Sequence, residues 1–178
     1  RAILVEHGLT VLFRRPVPPD SSAVGPQGRA SMPTILQLAI TGALPTASDD
    51  GPSPFERRLF VARRAIEKAL PGVHLCSLSP HTVVYKGLLL PSRLKAFYPD
   101  LADPRVRSAI AVVHQRFSTN TAPAWRRAHP FRHIAHNGEI NTLQGNVSRM
   151  GAREPLFESE RFQPEELDTI TPVLDPTD

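Results

Sequence analysis

Residues 114–146 read HQRFSTNTAPAWRRAHPFRHIAHNGEINTLQGN, and the reading of this stretch decides the fold of the rest. The apolar run Ile110 to Val113 leads into Arg116 and Thr119, and Phe131 to Ala135 leads into His136, Asn137 and Gly138. Such runs predict two buried strands whose ends deliver the polar groups, and rigid elements hold a site more precisely than free loops. Arg116 presents a planar fork of donors that matches a carboxylate. Thr119 can add a hydroxyl to the same anion. The Asn137 side-chain amide and the Gly138 backbone N–H stand side by side, a pair suited to an oxyanion hole, and glycine lets a substrate approach closely. A carboxylate clamp beside an oxyanion hole predicts acyl transfer on an amino-acid-like substrate. His114 and His136 are expected to pack beside the site and orient it, not to exchange protons. Taken alone, Asn-Gly is also a hairpin-turn signal, and an arginine can serve in a structural ion pair.

The rest of the chain reads as support. With 178 residues, 40% hydrophobic and 21% charged, the composition is that of one globular domain able to bury a core. The net charge of +4 is dispersed over pairs such as Arg57-Arg58 and Arg126-Arg127, which excludes the dense basic stripe of a nucleic-acid face. These cations are expected on solvated faces. The single cysteine, Cys76, excludes an internal disulfide framework and a thiolate zinc cage, and points to a reducing, cytoplasmic setting. No run approaches a membrane span. The chain opens at Arg1 and ends at Asp178 within DPTD, so both ends are expected to be cuts through a longer protein.

In chain order, residues 1–7 predict the tail of a helix stopped by Gly8, and Leu9 to Phe13 a short buried strand. Residues 15–33 predict a long ordered loop, and 33–41 a strand or a helix. Phe55, Leu59, Ala62, Ile66 and Leu70 recur at helical steps, with Ser53 as N-cap and Pro54 in the first turn. Residues 74–78 and 82–87 predict two strands, with Cys76 a buried small hydrophobe. Residues 91–98 predict a short helix with Leu94, Phe97 and Tyr98 inward, and 139–153 a helix with Ile140, Leu143, Val147 and Met150 on one face. His114, His129, His133 and His136 raise a metal-binding alternative, opposed by Pro130, by strand-like alternation and by the lack of a nearby acid or thiol. No metal ligands are assigned.

H-x-R-F-S-T-N-T followed by A-H-P-F-R-x-I-A-H-N-G-E-I-N-T-L-x-G-N resembles the glutamine amidotransferase domain of glutamate synthase large subunits. HGLTVLFRRPVPPDSS, GRASMP, FERRLFVARRAIEKA and VVYKGLLLPSRLKAFYPDLADPR are similar to the same family, so the likeness spans nearly the whole chain. The HNGEIN segment separates this family from amidotransferases that share only the Arg and Asn-Gly elements. One departure is Ala122, where the family carries a bulkier residue.

The resemblance implies an α+β fold, a four-layer α/β/β/α sandwich of the N-terminal-nucleophile type, with residues 1–178 as one amidotransferase domain truncated at both ends. It implies that Arg116 holds the α-carboxylate of glutamine with Thr119 beside it, and that Asn137 and Gly138 form the oxyanion hole. Asp178 is the positional candidate for the acid that holds the α-amino group. The family's nucleophile is an N-terminal cysteine whose own amine acts as base, so it is expected upstream of Arg1; Cys76 is internal. For the longer protein the resemblance implies FMN, an iron–sulfur cluster and a reductase small subunit, all outside this segment. Released ammonia would aminate 2-oxoglutarate to glutamate in the remaining domains. The electron donor, a nicotinamide or ferredoxin, stays open, as does a non-catalytic interaction role.

Overall fold

The computed structural model describes residues 1–17, 20–117, 122–131, 133–138 and 142–174. Helix α1 (Ala2–Glu6) ends where Gly8, at φ 68°, takes the left-handed conformation and donates its N–H to the Val5 carbonyl at 2.9 Å. That reversal feeds β1 (Leu9–Pro16), which pairs antiparallel with β2 (Leu36–Gly42) from Leu9↔Gly42 to Pro16↔Leu36. An irregularity between Val11 and Phe13 shifts the register. The segment left open as strand or helix is therefore a strand. The loop between the two strands holds a 3-10 turn at Ser21–Ala23 and helix α2 (Pro26–Ala30).

Helix α3 (Pro54–Ala69) forms as its spacing predicts. The Ser53 hydroxyl accepts the Glu56 N–H at 3.1 Å, and Pro54 occupies the first turn, where no N–H is needed. Its apolar stripe, Phe55, Leu59 and Ala62, packs with Leu4 and Leu9 into one core, against which Val11 and Ile40 of the sheet rest. The opposite face departs from expectation. Arg58 pairs with Glu166 at 3.4 Å, Arg64 Nε donates to the Ile170 carbonyl at 3.2 Å, and Lys68 Nζ donates to the Asp168 carbonyl at 2.8 Å. These cations pin α6 (Pro164–Ile170) to α3, with Arg58 and Arg64 half-buried there and Lys68 still exposed. Cations also suit the last turn of α6, whose carbonyls they satisfy.

A second core holds Val17, Val24, Phe97, Tyr98 and Trp125. Phe97 ends α4 (Leu94–Phe97), and its fully buried ring meets Tyr98 edge-on at 4.6 Å and Trp125 at 5.7 Å. The Trp125 indole donates to the Gly28 carbonyl at 3.0 Å. A Cβ on Gly28 would stand 2.5 Å from the Leu88 carbonyl oxygen, so only glycine allows this approach. Tyr98 donates its hydroxyl to the Lys86 carbonyl at 2.8 Å, and burial raises its pKa. Arg15 of β1 joins Asp100, which also accepts from the Tyr85 hydroxyl at 3.0 Å. As expected, the short helix after Pro91 turns Leu94, Phe97 and Tyr98 inward.

Four strand expectations are not met. Residues 74–78 and 82–87 have no ladder; side chains bond part of their backbone instead, as where Val84 N–H donates to the Ser77 hydroxyl at 3.3 Å. Residues 110–113 form no strand, and Ile110 and Val113 are 79% and 78% exposed. Among the described residues of 131–135, Phe131 and Ile134 form an isolated bridge, closed by bonds of 2.8 and 2.7 Å. β-forming side chains specify a strand only where another strand completes the ladder, and none among the described residues does so here. Helix α5 spans Leu143–Arg153, but its expected core face is outward: Leu143 is 64% and Val147 39% exposed. Ile140 lies outside the described residues. Among the described residues the fold is thus mixed helix and strand around one two-stranded sheet. No helix among them is long and apolar enough to cross a membrane.

His74 makes a testable contribution to pH stability. Among the described residues its Nε2 is buried without a hydrogen-bond partner. Burial, reinforced by the Lys86 and Arg63 cations, pushes its pKa from the usual 6.5 to about 4. The unfolded chain therefore takes up this proton first as pH falls. The stability is whole above about 6.5 and drains away towards about 4, by on the order of 3 kcal/mol at most. Urea unfolding of the chain and of His74→Leu between these limits should show a flatter acid slope for the variant. Parallel slopes would contradict this account.

Candidate active site

The site region is joined by imidazoles. The His114 ring lies 4.6 Å from that of His129, and His129 lies 5.1 Å from His136, edge to face. His114 is two residues from Arg116 and His136 is next to Asn137, so His129 links the two halves of the motif. His129 also packs on Phe131 at 4.5 Å, and Phe131 carries the Lys86 ammonium 4.7 Å from its ring centre. Lys86 is buried and donates to the Arg126 carbonyl at 2.7 Å. A chain of contacts thus runs from the turn at Trp125–Arg127, anchored in the Phe97 core, to the imidazoles.

Hydrogen bonds tie two of these rings to the backbone. The His136 N–H donates to His129 Nδ1 at 3.4 Å, and the Gly138 N–H donates to His136 Nδ1 at 3.1 Å. Burial, with repulsion from His114, His136 and Lys86, holds His129 below the ordinary histidine range. Among the described residues no group of three His, Cys, Asp or Glu is placed to hold a metal.

Arg116, Asn137 and Gly138 are exposed, not carried on buried strand ends, and reach their positions on irregular backbone. Thr119 and Asp178 lie outside the described residues. Cys76 is partly buried, and burial pushes its thiol pKa up, away from the thiolate a nucleophile needs. Sequence reasoning weighed His129 only as a metal ligand and gave Lys86 no role. The link between them is tertiary, and no local spacing announces it.

Comparison with known proteins bears on the whole chain. It is 46% identical over 177 residues to the glutamate synthase [NADPH] large chain of Bacillus subtilis (strain 168), covering 97% of this chain and 11% of that protein. It is 43% identical over 167 residues to ferredoxin-dependent glutamate synthase 2 of Synechocystis sp., covering 93% and 10%. It is 42% identical over 173 residues to glutamate synthase [NADH] of Schizosaccharomyces pombe, covering 94% and 8%. The chain spans about a tenth of the length of these relatives. A family model, glutamine amidotransferases class-II, matches residues 1–178. From end to end, the chain belongs to the class II glutamine amidotransferases.

Proposed function

We propose that this chain is the glutamine-binding part of the amidotransferase domain of a glutamate synthase, where it serves the release of ammonia from glutamine. The observation that carries this is the family match over all 178 residues, together with relatives that are glutamate synthases. Arg116 grips the α-carboxylate, with the Thr119 hydroxyl beside it and Asp178 taking the α-amino group. The side-chain amide then lies where a thiolate attacks its carbon. Charge moves onto the amide oxygen, and the Asn137 NH2 and Gly138 N–H donate to it. Collapse of that intermediate expels ammonia and leaves a thioester, which water hydrolyses to glutamate. In the structure the Gly138 N–H already serves an acceptor, His136 Nδ1, which the substrate oxygen would replace.

We assign the nucleophile to an N-terminal cysteine outside these residues. Cys76 has chain on both sides and so no amine of its own to act as base. Two features support the four-layer sandwich as the arrangement of the complete domain. Among the described residues the β-forming run 110–113 is exposed without a partner strand, and Leu36 and Leu38 of β2 are 56% and 46% exposed. Further strands would cover both. An iron–sulfur cluster takes several thiolates, and this chain has one cysteine, so it does not hold a cluster by itself. The cluster, FMN and a reductase small subunit belong to the rest of the protein, where the ammonia aminates 2-oxoglutarate.

Ammonia release from glutamine by the purified 178-residue chain is the first test. None is expected, whereas the longer protein carrying the chain should release it. Turnover by the chain alone that Cys76→Ala abolishes would overturn the assignment of the nucleophile.

A further inference from the structure

Residues 136–138, which carry the proposed oxyanion donors, are exposed and belong to no helix or strand. A donor on such backbone needs another group to fix it. Among the described residues, the bond that ties this segment to the rest of the chain runs from the His136 N–H to His129 Nδ1, at 3.4 Å. The two rings also meet edge to face at 5.1 Å. Within the segment the Gly138 N–H donates to His136 Nδ1 at 3.1 Å, so a shift of His136 is passed on to the glycine.

His129 stands on firmer ground than the residues it holds. It is half-buried and follows Ala128, which is 3% exposed. Its ring packs on His114 at 4.6 Å and on Phe131 at 4.5 Å. Phe131 lies under the ammonium of buried Lys86, and that ammonium reaches the Arg126 carbonyl next to Trp125.

We propose that His129 is a positioning residue for amide hydrolysis. By accepting the His136 N–H, its Nδ1 sets where the Asn137 amide and the Gly138 N–H stand when charge develops on the amide oxygen of glutamine. The proposal rests on the reading of Asn137 and Gly138 as the oxyanion hole. His129 touches no reacting atom and acts through the 136–138 backbone. Misplacing such a group by about 1 Å can cost on the order of 100-fold in rate, and donors that serve the transition state leave substrate binding nearly unchanged.

Two variants separate the nitrogen from the ring. His129→Phe keeps an aromatic ring at this position and loses the acceptor. His129→Asn loses the ring and keeps an acceptor, its Oδ1 being as many bonds from the backbone as Nδ1. Steady-state ammonia release from glutamine by the longer protein that carries this chain should show kcat of His129→Phe lowered about tenfold, with KM within about twofold. His129→Asn should recover most of that loss. A packing role alone predicts the reverse order, because phenylalanine preserves the ring contacts and asparagine does not. Should His129→Phe fail to fold by circular dichroism, His129→Leu against His129→Asn makes the same comparison. An acceptor-free variant with unaltered kcat, one whose main defect is a raised KM, or a His129→Asn slower than it would each overturn the proposal. Asn137→Ala measured alongside keeps the two readings apart. A slow Asn137→Ala with a normal acceptor-free His129 variant overturns this proposal alone, whereas normal turnover in Asn137→Ala overturns the oxyanion hole and this proposal with it.

Discussion

Phe97→Ala should destabilise the chain by roughly 3–5 kcal/mol, the range for deleting a fully buried aromatic ring. Phe97 has no exposed surface, and its ring touches both Tyr98 and Trp125. Truncation removes transfer free energy and leaves a void between two rings that are themselves tied down. Tyr98 is held by its bond to the Lys86 carbonyl and Trp125 by its bond to Gly28, so neither can collapse into the space. A domain of this size has about 5–15 kcal/mol in total, so the variant keeps little reserve. Urea unfolding followed by fluorescence of Trp125, the one tryptophan, measures the loss. A loss under about 1 kcal/mol would mean that this core relaxes freely, against the packing described.

Asn137→Ala should lower glutamine turnover by about 10²–10³-fold in the protein that carries this chain, while the KM for glutamine changes little. The reason is where the charge appears. The amide oxygen of bound glutamine is a weak acceptor in the ground state and becomes an oxyanion only as the carbon is attacked. A donor aimed at that later charge lowers the barrier without tightening binding. The Gly138 N–H remains as second donor in the variant, so residual turnover is expected. Steady-state ammonia release is the measurement, and a raised KM with unchanged kcat would place Asn137 in binding instead.

How far the sequence foretold this molecule depends on whether the deciding contact was local. Helix α3 was legible because Ser53, Pro54 and the Phe55–Leu59–Ala62 stripe lie within one helical segment. The turn at Gly8 was equally local. Residues 110–113 misled because valine and isoleucine report a preference for strand, not the presence of a partner. The arginines of α3 misled in the other direction: their acceptors, the carbonyls near Ile170, lie about a hundred positions away. For the proposed site, chemistry and spacing were enough to nominate Arg116, Asn137 and Gly138. The His114–His129–His136 contacts and the Lys86 link behind them could not be foreseen, since they join residues that no local spacing brings together.

The central claim, that this stretch divides glutamine handling between a clamp and an oxyanion hole, rests most directly on Arg116. A bidentate, charge-assisted pair is worth about 1.5–3 kcal/mol, or roughly 10–100-fold in affinity. Glutamine kinetics of Arg116→Ala in the longer protein should show KM raised by about that factor with kcat changed far less, the opposite pattern to Asn137→Ala. Arg116→Ala with a KM for glutamine equal to that of the unaltered protein would contradict the account.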